Sequence, residues 1–348
     1  MTCMQVKVEE DMSPAYALPE KVRVSYGSAV ILGLNNGILN AKPSTAYLLT
    51  YTTRKCIANC RFCPQAVSST SKADLLSRVT WPVFFSHSVI SRIKHAATNA
   101  LIKRVCIQTL NYSEMLRDVL GLVKGIRRHT DVPISVSCQP LGKNEIKLLA
   151  QAGVERIGIP IDAATEEIFN RVKGFDANGP YTWEKHFKAL KAAVDVLKAG
   201  RVSTHLIVGL GETEKDLAKV IQQLVDIGVY PGLFAFTPIP GTYLEKHPPP
   251  PIERYRRIQI ARYLIANGKS RFNNMTFDEH ETISDFGVPE RELKLLIKTG
   301  EPFITSGCPH CNRPFYNERP TGPIYNYPET PSLSQLAEIE TQLYSSKR

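Results

Sequence analysis

Three cysteines, Cys56, Cys60 and Cys63, are spaced C-x3-C-x2-C on one short stretch that directly follows the apolar run AYLLTY. Three thiolates on one loop can take three corners of a [4Fe–4S] cube and leave the fourth iron open to another ligand. A closed electron-transfer cluster needs a fourth protein ligand, and a structural zinc ion commonly takes four ligands in two separated pairs. An open, reactive cluster is therefore the expectation, with a zinc knuckle as the alternative. A second group, Ser306-Gly-Cys308-Pro-His-Cys311, carries a C-x2-C spacing, which alone reads as half a zinc site or a redox pair. The chain has 8 cysteines, the others being Cys3, Cys106 and Cys138. Their concentration in two tight clusters points to metal rather than to structural disulfides.

The surrounding composition is that of an ordinary globular protein, 43% hydrophobic and 22% charged. No run of about 18 apolar residues is present, so no membrane span is expected. The first thirty residues lack an apolar core followed by a small-residue cleavage site. A cytoplasmic location is the expectation. Lys and Arg number 43 against 33 Asp and Glu, a net charge of +10. Such an excess suits an acidic partner: nucleic acid, an anionic cofactor or an acidic carrier protein. The basic residues are scattered, as in DVLGLVKGIRRH with Lys124, Arg127 and Arg128, and form no dense stripe interleaved with aromatics. Nucleic acid is not expected on that ground.

Short β-rich runs alternate with longer amphipathic stretches. The runs are Ala46–Tyr51, Arg104–Thr109, Pro133–Cys138, Arg156–Ile161, Val202–Val208, Leu233–Pro238, Arg271–Phe277 and Pro302–Thr305. Between two of them, Thr182 caps a helix that places Phe187, Leu190, Val194 and Leu197 on one face and stops by Gly200. Pro251 opens another helix that ends at Gly268. Strands alternating with helices imply parallel βαβ units, and eight of them close into a (β/α)8 TIM-type barrel. The expected organisation is an N-terminal extension over residues 1–45, a barrel over 46–312 and a tail over 313–348 packed on it. A doubly wound open sheet is the alternative. In a barrel, the first cysteine loop falls where reactive groups sit, at the C-terminal end of a strand. If strand eight neighbours strand one, Cys308 and Cys311 share its rim.

The three-cysteine loop, with Phe62 just before its last cysteine, resembles the signature of the radical S-adenosylmethionine (SAM) family. The resemblance implies that the open iron chelates SAM and that electron transfer cleaves SAM to a 5′-deoxyadenosyl radical. It implies cofactor contacts at Phe62, near the adenine, and at Asp162, which closes RIGIPID and could accept the ribose hydroxyls. A core position for Phe62 and a helix N-cap for Asp162 are the alternatives. Gly209, Gly211 and Glu212, in HLIVGLGE, fall at a further SAM contact, the glycines allowing close backbone approach. Their pattern is no dinucleotide fingerprint, since it runs on to Glu214 rather than a small residue. On such a rim Cys308 and Cys311 would bind an auxiliary iron–sulfur cluster, completed by Cys106, Cys138 or Cys3. Plain burial is the alternative for Cys106 and Cys138.

Much of residues 50–245, including RVCIQTL, SVSCQP, RIGIPID and STHLIVGLGET, is similar to biotin synthase. Cys106 and Cys138 fall in register with two cysteines that hold a sulfur-donating cluster there. The third corresponds to Ser203, and the arginine ligand of that family has no counterpart in RFNNMTFD, where Thr276 is nearest. Biotin synthesis is therefore not expected. The string SGCPHCNRPFYNERPTGPIYNYP resembles the two-subunit lipoyl synthases of archaea and some bacteria. That resemblance implies insertion of sulfur into a protein-bound octanoyl chain, with an auxiliary [4Fe–4S] cluster as the sulfur donor. Its implied partners are an octanoylated acidic carrier protein or lipoyl domain, a related radical SAM subunit and a reductant protein. The alternatives are a radical SAM enzyme of another substrate, a non-catalytic iron–sulfur subunit and a zinc-stabilised scaffold.

Overall fold

The computed structural model describes residues 16–344. It opens with β1 (Lys21–Val24), α1 (Tyr26–Ile31) and β2 (Thr45–Thr50), every residue of β2 being buried. The first cysteine loop then leads to a small hairpin, β3 (Leu75–Leu76) and β4 (Val79–Thr80), followed by β5 (Val83–Phe85) and α2 (Ser86–Thr98). Strands and helices alternate from there: β6 (Arg104–Gln108), α3 (Met115–Arg127), β7 (Ile134–Ser137), α4 (Lys143–Gln151), β8 (Arg156–Gly158), α5 (Glu166–Val172) and α6 (Trp183–Leu197). The alternation continues through β9 (Val202–Val208), α7 (Glu214–Asp226), β10 (Val229–Ala235) and α8 (Ile252–Ala266). Last come β11 (Thr276–Phe277), β12 (Ile283–Asp285), α9 (Glu290–Thr299) and α10 (Leu333–Tyr344).

The main sheet has 8 strands in the order β10-β9-β8-β7-β6-β2-β1-β5. From β2 through β6, β7, β8 and β9 to β10 the neighbours are parallel. β1 pairs antiparallel with both β2 and β5. The fold is α/β with a mostly parallel sheet, in keeping with the barrel class. Parallel neighbours require crossovers, and helices supply them. Val105, Ile107, Ile134, Val136, Val202 and Leu206 meet the apolar stripes of the helices, such as Val119, Val123 and Ile126 on α3. The alternate residues Cys106, Ser135, Ser203 and His205 turn inward and line an axial cavity. A small, polar inner face on an otherwise apolar strand leaves room at the centre of the fold.

The helix signals hold in detail. The Thr182 hydroxyl accepts the Lys185 amide at 3.3 Å as the N-cap of α6, and Leu190 and Leu197 are buried beneath that helix. Pro251 caps α8, and Gly268 follows it at φ +66°.

The two last strand expectations are corrected. Residues 271–277 form a 3-10 turn (Phe272–Asn274) and then β11, which pairs only with β12. The Phe272 amide is taken by the Gln222 side chain at 3.0 Å rather than by a ladder. Residues 302–305 begin as a 3-10 turn (Glu301–Phe303) behind the left-handed Gly300 that ends α9. Phe303 is fully buried, but against Ile260, Leu264, Leu296 and Tyr327 on the outer side of α8. Its apolar signal came from that satellite core. Ile304 makes only an isolated bridge to Tyr327. The strands that take the sheet to 8 are instead β1 and β5, and β1 lies in the segment expected as an N-terminal extension.

Residues 306–313 therefore do not leave a strand at the rim of the first cysteine loop. Their backbone is held by groups at the beginnings of strands. The hydroxyls of Ser44 and Thr45 donate to the His310 carbonyl at 2.6 and 2.9 Å, and Arg104 Nε donates to the Pro309 carbonyl at 3.0 Å. Cys308 and Cys311 sit at the N-terminal ends of β2 and β6. The expectation of a shared rim is corrected: the two cysteine groups approach the cavity from opposite ends.

Candidate functional site

The upper cysteine loop is folded by its own backbone and one lysine. Amides of Cys56, Cys63 and Val67 donate to the carbonyls of Gln65, Cys60 and Ala58 at 3.1, 3.0 and 2.9 Å. Lys55 Nζ donates to the carbonyls of Pro64 at 3.1 Å, Ser71 at 3.0 Å and Ser69. The loop is then tied to its neighbours: Ile57 N to Asn111 O at 3.0 Å, and Arg61 N to Val172 O at 2.8 Å. The Asn111 amide donates to Cys56 Sγ at 3.2 Å, the kind of contact that stabilises a thiolate. Burial pushes the Cys63 thiol up to about 12 and raises Cys60 well above its ordinary value. Metal binding here must therefore release protons. Among the described residues no three His, Cys, Asp or Glu side chains converge closely enough for a single metal ion. Three thiol donors on one loop are the number that a [4Fe–4S] cluster with one open iron takes.

Beneath the loop lies a cavity of about 190 Å³, whose lining includes Cys56, Cys60 and Cys63 at one end and Cys106, Cys308 and Cys311 at the other. The lower thiols are close enough to act on one another. The Cys106 thiol is raised well above its ordinary value by burial and then by Cys308 and Cys311. Ser135 Oγ donates to Cys308 Sγ at 3.4 Å, and the Tyr47 hydroxyl lies 3.5 Å from Cys311 Sγ. A Cβ on Gly307 would meet Cys311 Sγ at 3.2 Å, so glycine there keeps the sulfur's space open. Arg313 enters beside them, its guanidinium 4.1 Å from the Phe234 ring centroid and donating to the Ser306 carbonyl at 2.7 Å. Burial works against that charge, but Cys311, Tyr47, Tyr255 and Tyr316 together more than offset it. Two buried polar atoms on the cavity wall, Thr109 Oγ1 and Gln139 Oε1, have no hydrogen-bond partner. Orphaned groups of this kind mark a place for a polar ligand.

A family model, the radical SAM superfamily, matches residues 50–224, from the end of β2 into α7. The chain belongs to the radical SAM superfamily. Membership implies a [4Fe–4S] cluster and SAM, and the three thiols of the upper loop are donors suited to such a cluster with one iron left open. The chain is similar to the biotin synthase of Synechococcus sp. (strain WH7803), 24% identical over 241 residues that cover 67% of this chain and 69% of that protein. It is 26% identical over 241 residues to the biotin synthase of Prochlorococcus marinus (strain MIT 9211), covering 67% and 68%. Among solved structures it matches methylornithine synthase with a TM-score of 0.51 at 12% identity, over 70% of this chain and 68% of that one. A match at that identity supports the fold alone.

Within the radical SAM fold the other expected site residues divide. Phe62 and Asp162 both line the axial cavity and a smaller neighbouring one of about 120 Å³ beside Cys63. Asp162 is not a helix N-cap, because Thr165 caps α5 by accepting the Ile168 amide at 3.2 Å. Its Oδ2 pairs instead with Lys173 Nζ at 2.7 Å. Gly209, Gly211 and Glu212, expected as cofactor contacts, build their own loop. Both Glu212 oxygens accept backbone amides, from Gly209 at 2.7 Å and Leu210 at 2.9 Å, and the carboxylate also meets Arg254. Gly209 and Gly211 hold φ near +105° and +107°, with Pro250 and Arg171 against the positions a side chain would take. None of the three lines either cavity. Cys138 lines the axial cavity, its thiol pushed up to about 12 by burial and then by Glu145, with no other cysteine acting on it. Cys3 lies outside the described residues.

Three residues around this site were missed. Lys173 is 0% exposed and bridges Asp162 and the Pro160 carbonyl; in sequence it looks like an ordinary surface position at a helix end. His205 is held neutral, down to about 3, by burial and then by Arg313 and Lys173. The available signal was a histidine inside the otherwise apolar run VSTHLIV. Arg313 gave no signal beyond its nearness to Cys311. Among the described residues no helix is long and apolar enough to cross a membrane.

Proposed function

We propose that this chain is a sulfur-inserting radical SAM enzyme of the lipoyl synthase type, acting on an octanoyl chain carried by an acidic protein or lipoyl domain. In this reading Cys56, Cys60 and Cys63 hold the SAM-cleaving cluster, and Cys106, Cys308 and Cys311 hold an auxiliary one. The supporting observation is that both thiol groups line one cavity. An electron-transfer relay would need no shared space, and a scaffold would need no orphaned polar wall. When bound, the first cluster with SAM supplies a radical able to take hydrogen from an unactivated methylene, and the second supplies sulfide.

The chain's own residues prepare that chemistry. The inward polar layer of Ser135, Ser203 and Gln108 is flanked by buried apolar strands, so water is excluded once the cavity is filled. The pairing of Asp162 with Lys173 leaves no net charge buried beside Cys60. Neutral His205 adds no further charge to the cavity wall. Arg313 balances thiolates at the lower end, and Ser135 and Tyr47 are hydroxyls within reach of their sulfurs. A related second subunit and a reductant protein complete the proposed system.

The second reading is a biotin-synthase-like activity, favoured by the relatives at 24% and 26% identity. Against it, Ser203 stands where that family has a cysteine, and the lower thiols come together without Cys138. The deciding experiment gives reconstituted protein, SAM and reductant a choice of octanoyl-lysyl peptide and dethiobiotin. The lipoyl reading expects a sulfur-bearing octanoyl product; biotin formation with the peptide untouched would reject it.

A further inference from the structure

Both ends of the axial cavity are spanned by cysteine-bearing loops. At the upper end, the loop after Cys63 is laced to the segment after β10, with Thr70 N donating to Gly241 O at 2.9 Å and Ser71 Oγ donating to Pro240 O. At the lower end, residues 306–313 are hooked to Ser44, Thr45 and Arg104. A side opening would let a substrate tethered to another protein approach the centre without displacing either loop.

A second cavity, of about 300 Å³, lies at the side of the fold between α1, the β3–β4 hairpin and the tail. Away from the axial cavity its wall is largely apolar and includes Ile38, Leu39, Pro43, Val79, Trp81 and Phe315, with Asn40, Arg78 and Thr80 among its polar residues. Ile38 is 97% exposed, so this wall reaches the surface. Its inner wall includes Tyr47, Gln108, Arg313 and Tyr316, and these same four residues also line the axial cavity. Two of these side chains, Tyr47 and Arg313, are already engaged. Tyr47 Oη accepts the Arg313 amide at 3.0 Å and lies beside Cys311, while the Arg313 guanidinium is stacked on Phe234 and bonded to Ser306.

We propose that this side cavity is the access route and outer binding site for the acyl chain: a slender, unbranched alkyl chain joined by an amide to a carrier lysine, which stays at the Ile38 mouth. Apolar walls favour such a chain by about 0.8 kcal/mol for each methylene buried. A bulky or charged substrate gains nothing from them. The inference rests on the acyl-carrier reading above, and it adds the direction from which that substrate arrives.

The test uses the full chain with its clusters reconstituted, in the dark and without reductant, so that nothing turns over. The probe is an octanoyl-lysyl peptide with a diazirine on the carbon next to the carbonyl. After illumination, mass spectrometry should place the label on residues 38–43 or on Phe315. Excess octanoyl-lysyl peptide should compete it away and acetyl-lysyl peptide should not. Filling the route with Ala41→Trp should weaken peptide binding about tenfold, roughly 1.4 kcal/mol, while Ala41→Ser keeps it; iron content checks that both variants fold. Competed label on residues 56–67 or 236–241 would overturn the side route while leaving the acyl reading intact. Absence of any competed label, with dethiobiotin bound instead, would overturn both.

Discussion

The two thiol groups meet one cavity from opposite ends, and they are assembled in opposite ways. The upper group is local: its three cysteines share one loop, closed by its own amides and by Lys55. The lower group is gathered across the chain. Cys106 comes from β6, while Cys308 and Cys311 come from a tail whose Pro309 carbonyl is held by Arg104, 205 positions away. A local group keeps its geometry as long as its loop folds. A dispersed one depends on the whole sheet and on the tail reaching home, and so it should be lost first.

The largest expected effect lies at the upper end. Replacing Cys56, Cys60 and Cys63 with alanine should cut 5′-deoxyadenosine formation at least about a thousandfold under strong reductant, above ~4 kcal/mol in barrier. Chromatography of quenched reactions measures it, and undamaged cleavage would remove the upper site from the account. Next, Cys308→Ala with Cys311→Ala should leave SAM cleavage within about threefold, a change of less than ~1 kcal/mol. The same pair should lower iron by about four per chain. Unchanged iron in that variant would mean the lower thiols hold no cluster.

A smaller effect tests the dispersed assembly itself. Arg104 is buried, pairs with Glu155 at 2.9 Å and bonds Ser135 Oγ at 2.8 Å as well as Pro309. Arg104→Met should cost about 3 kcal/mol in denaturant unfolding, since removing one partner strands the rest. It should also deplete the lower iron before the upper. Equal depletion at both ends would contradict the contrast drawn between them.

The smallest effect concerns pH and the tail. Glu318 is buried, with Oε1 accepting the Asn326 amide at 3.3 Å and Oε2 unpartnered. Burial pushes its carboxyl from 4.5 up to about 7. The folded chain thus binds a proton that the unfolded chain releases above 4.5. Its contribution is full below about 4.5 and is lost as pH rises through about 7. Glu318→Gln should therefore gain stability over the parent at about pH 8, on the order of 2 kcal/mol, and show no gain at about pH 4. Paired denaturant titrations read this directly, and an equal gain at both values would mean that Glu318 is ionised alike in both states.

The same contrast governs how much was legible in the sequence. C-x3-C-x2-C is a local pattern, so the upper loop, the preceding strand and the βα alternation from β6 to β10 could all be read from spacing and periodicity. Thr182 and Pro251 announced their helices for the same reason. The position of Cys308 and Cys311 could not be read, because it depends on hydroxyls of Ser44 and Thr45 more than 260 positions away. Phe303 misled because burial in a satellite core carries the same apolar signal as burial in a strand. The role of Glu212 and the two glycines could not be read from sequence, because a loop that folds on itself needs the same residues as one that wraps a ligand. Lys173 and Arg313 were invisible, since only tertiary structure reveals that a cation is buried.

The central claim is that both ends of one cavity take part in a single sulfur insertion. Its most direct test is one turnover of protein whose clusters were rebuilt with heavy-isotope sulfide, given octanoyl-lysyl peptide, SAM, reductant and the proposed partner subunit. Mass spectrometry of the peptide should find the heavy sulfur on the octanoyl chain, and the Cys308→Ala, Cys311→Ala protein should yield none. Formation of 5′-deoxyadenosine with an octanoyl chain that never gains the heavy sulfur would contradict the account.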